Sequence, residues 1–87
     1  MRAVVTVIGK DMVGILAKVA TTCAASNANV IEVTQSVLQD YFAMIMLIDI
    51  GAINTGFEDF AALLEESVAG MKIHVMHEDI FNSMHRI

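Results

Sequence analysis

The sequence has no proline, a single cysteine, and only five basic residues against ten acidic ones. Each shortage excludes something. Without proline, a low-complexity tract or a linker, the elements of these 87 residues join through short turns and share one core. A lone cysteine, Cys23, rules out an internal disulfide and a cysteine-rich zinc site. It falls on the apolar stripe of an expected helix and reads as a buried thiol. A net charge of −5 leaves no basic surface to neutralise phosphates, so no nucleic acid partner is expected. The longest unbroken apolar stretch, Phe42 to Ile48, stops at Asp49, well short of the roughly 20 residues that span a bilayer. Arg2 is not followed by a signal-peptide core with a small-residue cleavage site. The chain is therefore expected to be cytoplasmic, with no membrane partner.

What is plentiful is apolar: 56% of residues, with only 17% charged. A chain this short buries only roughly 60–65% of its unfolded surface. The surplus calls for a cover, most simply a second copy of the chain, and a homodimer is expected. The charge is uneven. Residues 1–30 hold Arg2, Lys10 and Lys18 against Asp11, whereas residues 58–79 hold six acids against Lys72.

Residues 2–8 are rich in β-branched side chains and read as a strand ending at Gly9. Asp11 is a suitable N-cap for a helix from Met12 to about Ala25, with Met12, Ile15, Leu16, Val19, Ala20 and Cys23 as its buried stripe. Asn27 stands where a left-handed residue would close that helix. Val30 to Val37 is a second strand, Leu38-Gln39-Asp40 a hairpin connection, and Tyr41 to Ile50 a third strand. Thr55 and Glu58 have capping-box spacing for a second helix. Its buried face is Phe57, Phe60, Ala61, Leu64 and Val68, and Gly70 ends it. Met71 to Met76 is a fourth strand, and residues 78–87 form a short C-terminal helix with Ile80, Phe81, Met84 and Ile87 on one side.

This order, with right-handed crossovers, gives an α+β fold: a ferredoxin-like βαββαβ sandwich whose four-stranded antiparallel sheet carries both main helices on one face. In the third strand Ala43, Ile45 and Leu47 point one way, and Phe42, Met44, Met46 and Ile48 the other. A half-solvated strand alternates apolar with polar, and this one does not. The helices cover one face only. The other needs the C-terminal helix, a second sheet, or both, which favours face packing over edge pairing.

The run Val7-Ile8-Gly9-Lys10-Asp11-Met12-Val13-Gly14-Ile15-Leu16-Ala17 ends a strand in glycine, opens a helix at aspartate and sets a glycine before an apolar pair. With Asn27-Ala28-Asn29-Val30-Ile31, Gln35 and the apolar third strand ending at Asp49, it resembles the ACT domain. The resemblance covers residues 2–76. With the tail it is most similar to small stand-alone ACT proteins of bacteria and archaea, and more distantly to the glycine cleavage system repressor. It implies one ACT domain over residues 1–87, with a core at 2–76 and a C-terminal helix at 78–87. Met12 stands where the family often has a basic residue, and Asn27 replaces the usual glycine. The resemblance also implies a regulatory dimer in which the second strand of one subunit faces the helix-1 loop of the other.

The first amides of a helix lack internal partners and carry partial positive charge. Residues 12–14 offer such groups to a ligand carboxylate, Gly14 lets it approach the backbone, and Lys10 adds field. Asp11, Gln35 and Ser36 could meet an ammonium. The candidate ligand site is thus Gly9, Lys10, Asp11, Met12, Val13, Gly14, Gln35 and Ser36, and an amino acid is the expected ligand. The alternative is a ligand-free assembly module that regulates a partner protein, in which Asp11 only caps the helix and Gly14 only permits close packing. No cofactor, metal site or catalysis is expected. His74 and His77 point to opposite faces of a strand, Glu65-Glu66 and Glu78-Asp79 do not converge, and no nucleophile has a nearby base. Seven methionines serve as adaptable filler.

Overall fold

The computed structural model describes residues 1–10, 14–68 and 70–84. Its elements are β1 (Arg2–Gly9), α1 (Ile15–Ala25), β2 (Asn29–Leu38), β3 (Tyr41–Asp49), α2 (Phe57–Ser67), β4 (Lys72–His77) and α3 (Glu78–Met84). The four strands form one antiparallel sheet in the order β2-β3-β1-β4. β1 and β3 lie in the centre, and β2 and β4 are the two edges. This is the α+β ferredoxin-like sandwich expected from the pattern.

Period-2 alternation divides the sheet cleanly. Ala3, Val5 and Val7 of β1 pair with Ile48, Met46 and Met44 of β3, and all six are fully buried. They form one core with Ile15, Val19 and Cys23 of α1 and with Phe60 and Leu64 of α2. The stripe on α1 runs at four-residue steps, which leaves Leu16 on its flank and exposed rather than buried as expected. Burial pushes the Cys23 thiol pKa up, which keeps it protonated among apolar neighbours.

The opposite face carries Val4, Thr6 and Ile8 beside Leu47, Ile45 and Ala43. α3 packs against β1 and β4 on this side, and Arg2 Nη2 bonds Glu78 Oε2 at 2.7 Å at its first turn. Beneath it Val4 is buried and Leu47 half-buried, whereas Ile8 is 50% exposed and Ile45 43% exposed. Among the described residues the tail therefore shields one end of the open face and leaves Ile8 and Ile45 at the other about half exposed. The tail residues 85–87, expected to extend the helix with Ile87 on its apolar side, lie outside the described residues.

Helix ends depart most from expectation. α1 begins at Ile15, with Gly14 as N-cap, three residues later than the aspartate-capped start expected at Met12. Asp11, Met12 and Val13 lie outside the described residues. At its C-terminal end Asn27 takes φ 61, as expected for a left-handed closing residue. Its N–H donates to Ala24 O at 3.1 Å, and that of Ala28 donates to Cys23 O at 2.8 Å, which satisfies two end carbonyls. The Asn27 amide then donates to Ala52 O and the Asn54 amide to Ala25 O, tying this corner to the loop after β3.

The expected Thr55–Glu58 capping box does not form. Gly56 is the N-cap of α2, without a capping side chain, and the Thr55 hydroxyl donates to Gly56 O instead. α2 stops at Ser67; Val68 is extended but still buried, so the helix ends before Gly70. Leu38 belongs to β2, which leaves Gln39-Asp40 as a two-residue turn with Gln39 at φ 54. β4 starts at Lys72, one residue later than expected. Among the described residues no helix is long and apolar enough to cross a membrane.

Candidate functional site

β1 and β2 both run antiparallel to β3, so their C-terminal ends lie at the same end of the sheet. That end holds Gly9 and Lys10, the entry to α1, and Gln35 and Ser36 near the close of β2. β3 separates β1 from β2, which sets them roughly 10 Å apart within one subunit. Gln35 pairs with Met44 and so lies on the helix side of the sheet; Ser36 pairs with Ala43 and lies on the open side. Both are exposed. The pair expected to share an ammonium therefore faces two different ways, because neighbouring strand residues alternate.

Gly14 has φ 72 and ψ 4, a left-handed conformation that side chains strain to adopt. Nothing lies within 4 Å of the position a Cβ would take there. The first helical bond is Lys18 N–H to Gly14 O at 3.0 Å, and Gly14 has no side chain to accept the amides that follow it. Gly9 has a different reason to be glycine. A Cβ there would meet the flexible side chain of Met71 at its Sδ, so the bare backbone lets Met71 sit against it on the helix side.

Lys10 Nζ lies 5.7 Å from the centroid of the Tyr41 ring, within cation–π reach. These two, with Ile8, Gly9, Gly70 and Lys72, line a cavity of about 470 Å³. Tyr41 and Lys72 were not among the residues singled out from sequence. Strand parity was the signal that could have found them: Lys72 pairs with Ile8, and Tyr41 continues the row of Ala43 and Ile45. Using that signal requires the register, which sequence alone does not supply.

The remaining polar groups do not converge. His74 pairs with Thr6 on the open face, while His77 pairs with Ala3 on the other and stacks on Phe57 with ring centroids 4.2 Å apart. Among the described residues no group of three or more histidines, cysteines or acids could hold a metal ion. Glu65 and Glu66 are exposed on α2.

Residues 2–76 match the family model described as the ACT domain. A UPF0237 protein of Methanococcus maripaludis is 44% identical over 86 residues, covering 97% of this chain and 96% of that protein. The ACT domain protein from Streptococcus pneumoniae superposes with a TM-score of 0.74 at 30% identity, over 98% of both chains. A putative glycine cleavage system transcriptional repressor superposes at 0.63 with 19% identity, over 85% of this chain and 43% of that one, a likeness of fold alone. The family model spans every strand but the last residue of β4, the identity runs nearly end to end, and the chain belongs to the ACT domain family.

Proposed function

We propose that this chain is a homodimeric cytoplasmic sensor that binds an amino acid at the entry to α1, between two subunits, and passes the change to a regulated protein. ACT domains are generally small-molecule-binding regulatory domains. The observation that carries the reading to a site is Gly14, a bare, left-handed N-cap at the start of α1. Amides at such a start favour a carboxylate. Lys10, next after Gly9 at the end of β1, adds positive field, and Asp11, Met12 and Val13 belong to the proposed site by sequence alone.

The second half of the site comes from β2 of the other copy. β2 is an edge strand of ten residues with one charge, Glu32, and with Ile31 and Val37 about half exposed. A long edge with so little charge is a template for pairing. β4, at the other edge, is shorter and carries Lys72, His74 and His77. Gln35 lies on the same side of the sheet as α1, so Gln35 rather than Ser36 is the residue we assign to the ligand's ammonium.

The test is a thermal-shift screen of the twenty amino acids. A ligand at a hundred times its Kd stabilises by about 2.7 kcal/mol. For a domain of this size that raises Tm by roughly ten degrees or more. A dose-dependent rise with at least one amino acid, lost in Asp11→Ala and reduced in Gln35→Ala, is the expected result. A flat response to all twenty removes the sensor.

One observation favours the second reading, a ligand-free assembly module. Gly9 is explained by Met71 and Gly14 by its φ, so neither glycine requires a ligand. Dimerisation without any amino-acid response is what that module would show.

A further inference from the structure

The open sheet face carries a trough whose chemistry changes along its length. At one end is the cavity bounded by Lys10, Tyr41 and Lys72, floored by Ile8. Ile8 also lines the next cavity, of about 370 Å³, with Thr6, Ile45, His74, Met76, Phe81 and Met84. That cavity in turn shares Ile45 and Phe81 with a third, of about 220 Å³, which reaches Glu32 and Glu78. Two ammonium groups thus stand at one end, Glu32 and the Arg2–Glu78 ion pair at the other, and a mostly apolar stretch between them.

The lysine end is unusual for this chain. Two of its three lysines meet there, although the net charge is −5. Lys72 pairs with Ile8, and Lys10 follows the end of β1 at Gly9; both line the same cavity. Their flexible stems let both ammonium groups reach a single anion there. Among the described residues neither has a carboxylate partner; the one ion pair is Arg2 with Glu78 at the far end.

We infer that this trough is a second binding site, which shares Lys10 with the α1 entry but draws Lys72, Ile8, Ile45 and Phe81 from outside the amino-acid site. Its ligand is an amphiphilic carboxylate: an anionic head held between Lys10 and Lys72, and a hydrocarbon body lying over Ile8 and Ile45 toward Phe81 on α3. Charge complementarity selects the head and its direction, because a carboxylate turned the other way would meet Glu32 and a Glu78 already paired with Arg2. The half-exposed Ile8 and Ile45 select the body, since these are the side chains that α3 leaves uncovered.

The test is calorimetric titration with hexanoate, octanoate and decanoate below their micelle concentrations, with the alcohol of each length as the uncharged arm. Each methylene buried is worth about a fourfold gain in affinity. The expected result is affinity that climbs with chain length, exceeds that of the matching alcohol, and falls at least several-fold in Lys72→Gln and Ile45→Glu with circular dichroism unchanged. These probes lack the ammonium group of an amino acid, and Lys72→Gln leaves the α1 entry untouched, so failure here is distinct from failure of the amino-acid site. Absence of binding overturns the inference. Affinity independent of length reduces the site to an adventitious ion, and equal affinity for alcohol and acid removes the lysine head; both overturn it. So does light scattering in which Ile45→Glu turns a dimer into a monomer, for the face would then belong to a second copy.

Discussion

At the scale of single residues, three backbone positions decide more than any polar side chain. Gly14, Asn27 and Gln39 all take positive φ, but their costs differ. Glycine adopts this region freely and asparagine tolerates it, whereas an ordinary L side chain pays about 1–2 kcal/mol. Gln39 bears that cost in the turn between β2 and β3. Gln39→Asn is therefore expected to raise stability by about 0.5–1 kcal/mol in urea melts, and Gly14→Ala to lower it by about 1–2 kcal/mol. The open space around Gly14 makes the second loss one of conformation and not of collision. If Gly14→Ala melted like the parent, the left-handed N-cap assigned to it would be wrong. Asn27 shows that the residue scale was partly legible: an asparagine following a helical stripe announced its own conformation. Gly14 was not legible in the same way. Asp11 satisfied every local rule for an N-cap, yet α1 starts at Ile15, behind the left-handed Gly14.

At the scale of elements, periodicity revealed what it physically controls. Buried faces repeat every two residues in β1 and β3 and about every four in α1 and α2, so the strands, helices and core could be read from apolar spacing alone. Relations between elements were harder to read. Gln35 and Ser36 were singled out together because both are polar, yet alternation sends them to opposite faces. The seating of α3 was also beyond sequence, because its apolar residues fit several positions: Phe81 is half-buried, while Ile80 and Met84 stay largely exposed. What α3 contributes follows from what it covers. Burial of a valine or leucine side chain is worth roughly 1.5–3 kcal/mol, and α3 shields Val4 completely and Leu47 in part. Removing residues 78–87 is therefore expected to cost about 2–4 kcal/mol and to increase binding of an apolar dye. The Arg2–Glu78 pair is a weaker tie. Arg2 is about half exposed, and surface pairs contribute about 0–1 kcal/mol, so Arg2→Ala should lower stability by less than 1 kcal/mol. A larger loss from Arg2→Ala than from the truncation would reverse this ranking of packing over charge.

At the scale of the whole molecule, the apolar surplus in the composition resolves into two unequal surfaces. The third strand is apolar on both sides, which by itself pointed to stacked sheet faces. The structure changes the weights, because α3 covers one end of that face and leaves only a trough. Among the described residues β2 is an edge strand of ten residues with no strand paired to its outer side. A small domain gains most by satisfying an edge of this kind, since one strand pairing joins two sheets with little new side-chain ordering. The proposed dimer therefore pairs β2 with β2, and substitutions on the two surfaces should act differently. Ile31→Lys with Val37→Lys places charge on the edge, where natural edge strands use lysine to block pairing. In light scattering the parent chain is expected at twice its single-chain mass, this double variant at the single-chain mass, and Ile45→Glu still at twice. A parent that remains a monomer at tens of micromolar concentration would leave Gln35 with no α1 entry to face and would remove the shared site. The trough and its lysines would stand, because every residue they use belongs to one chain.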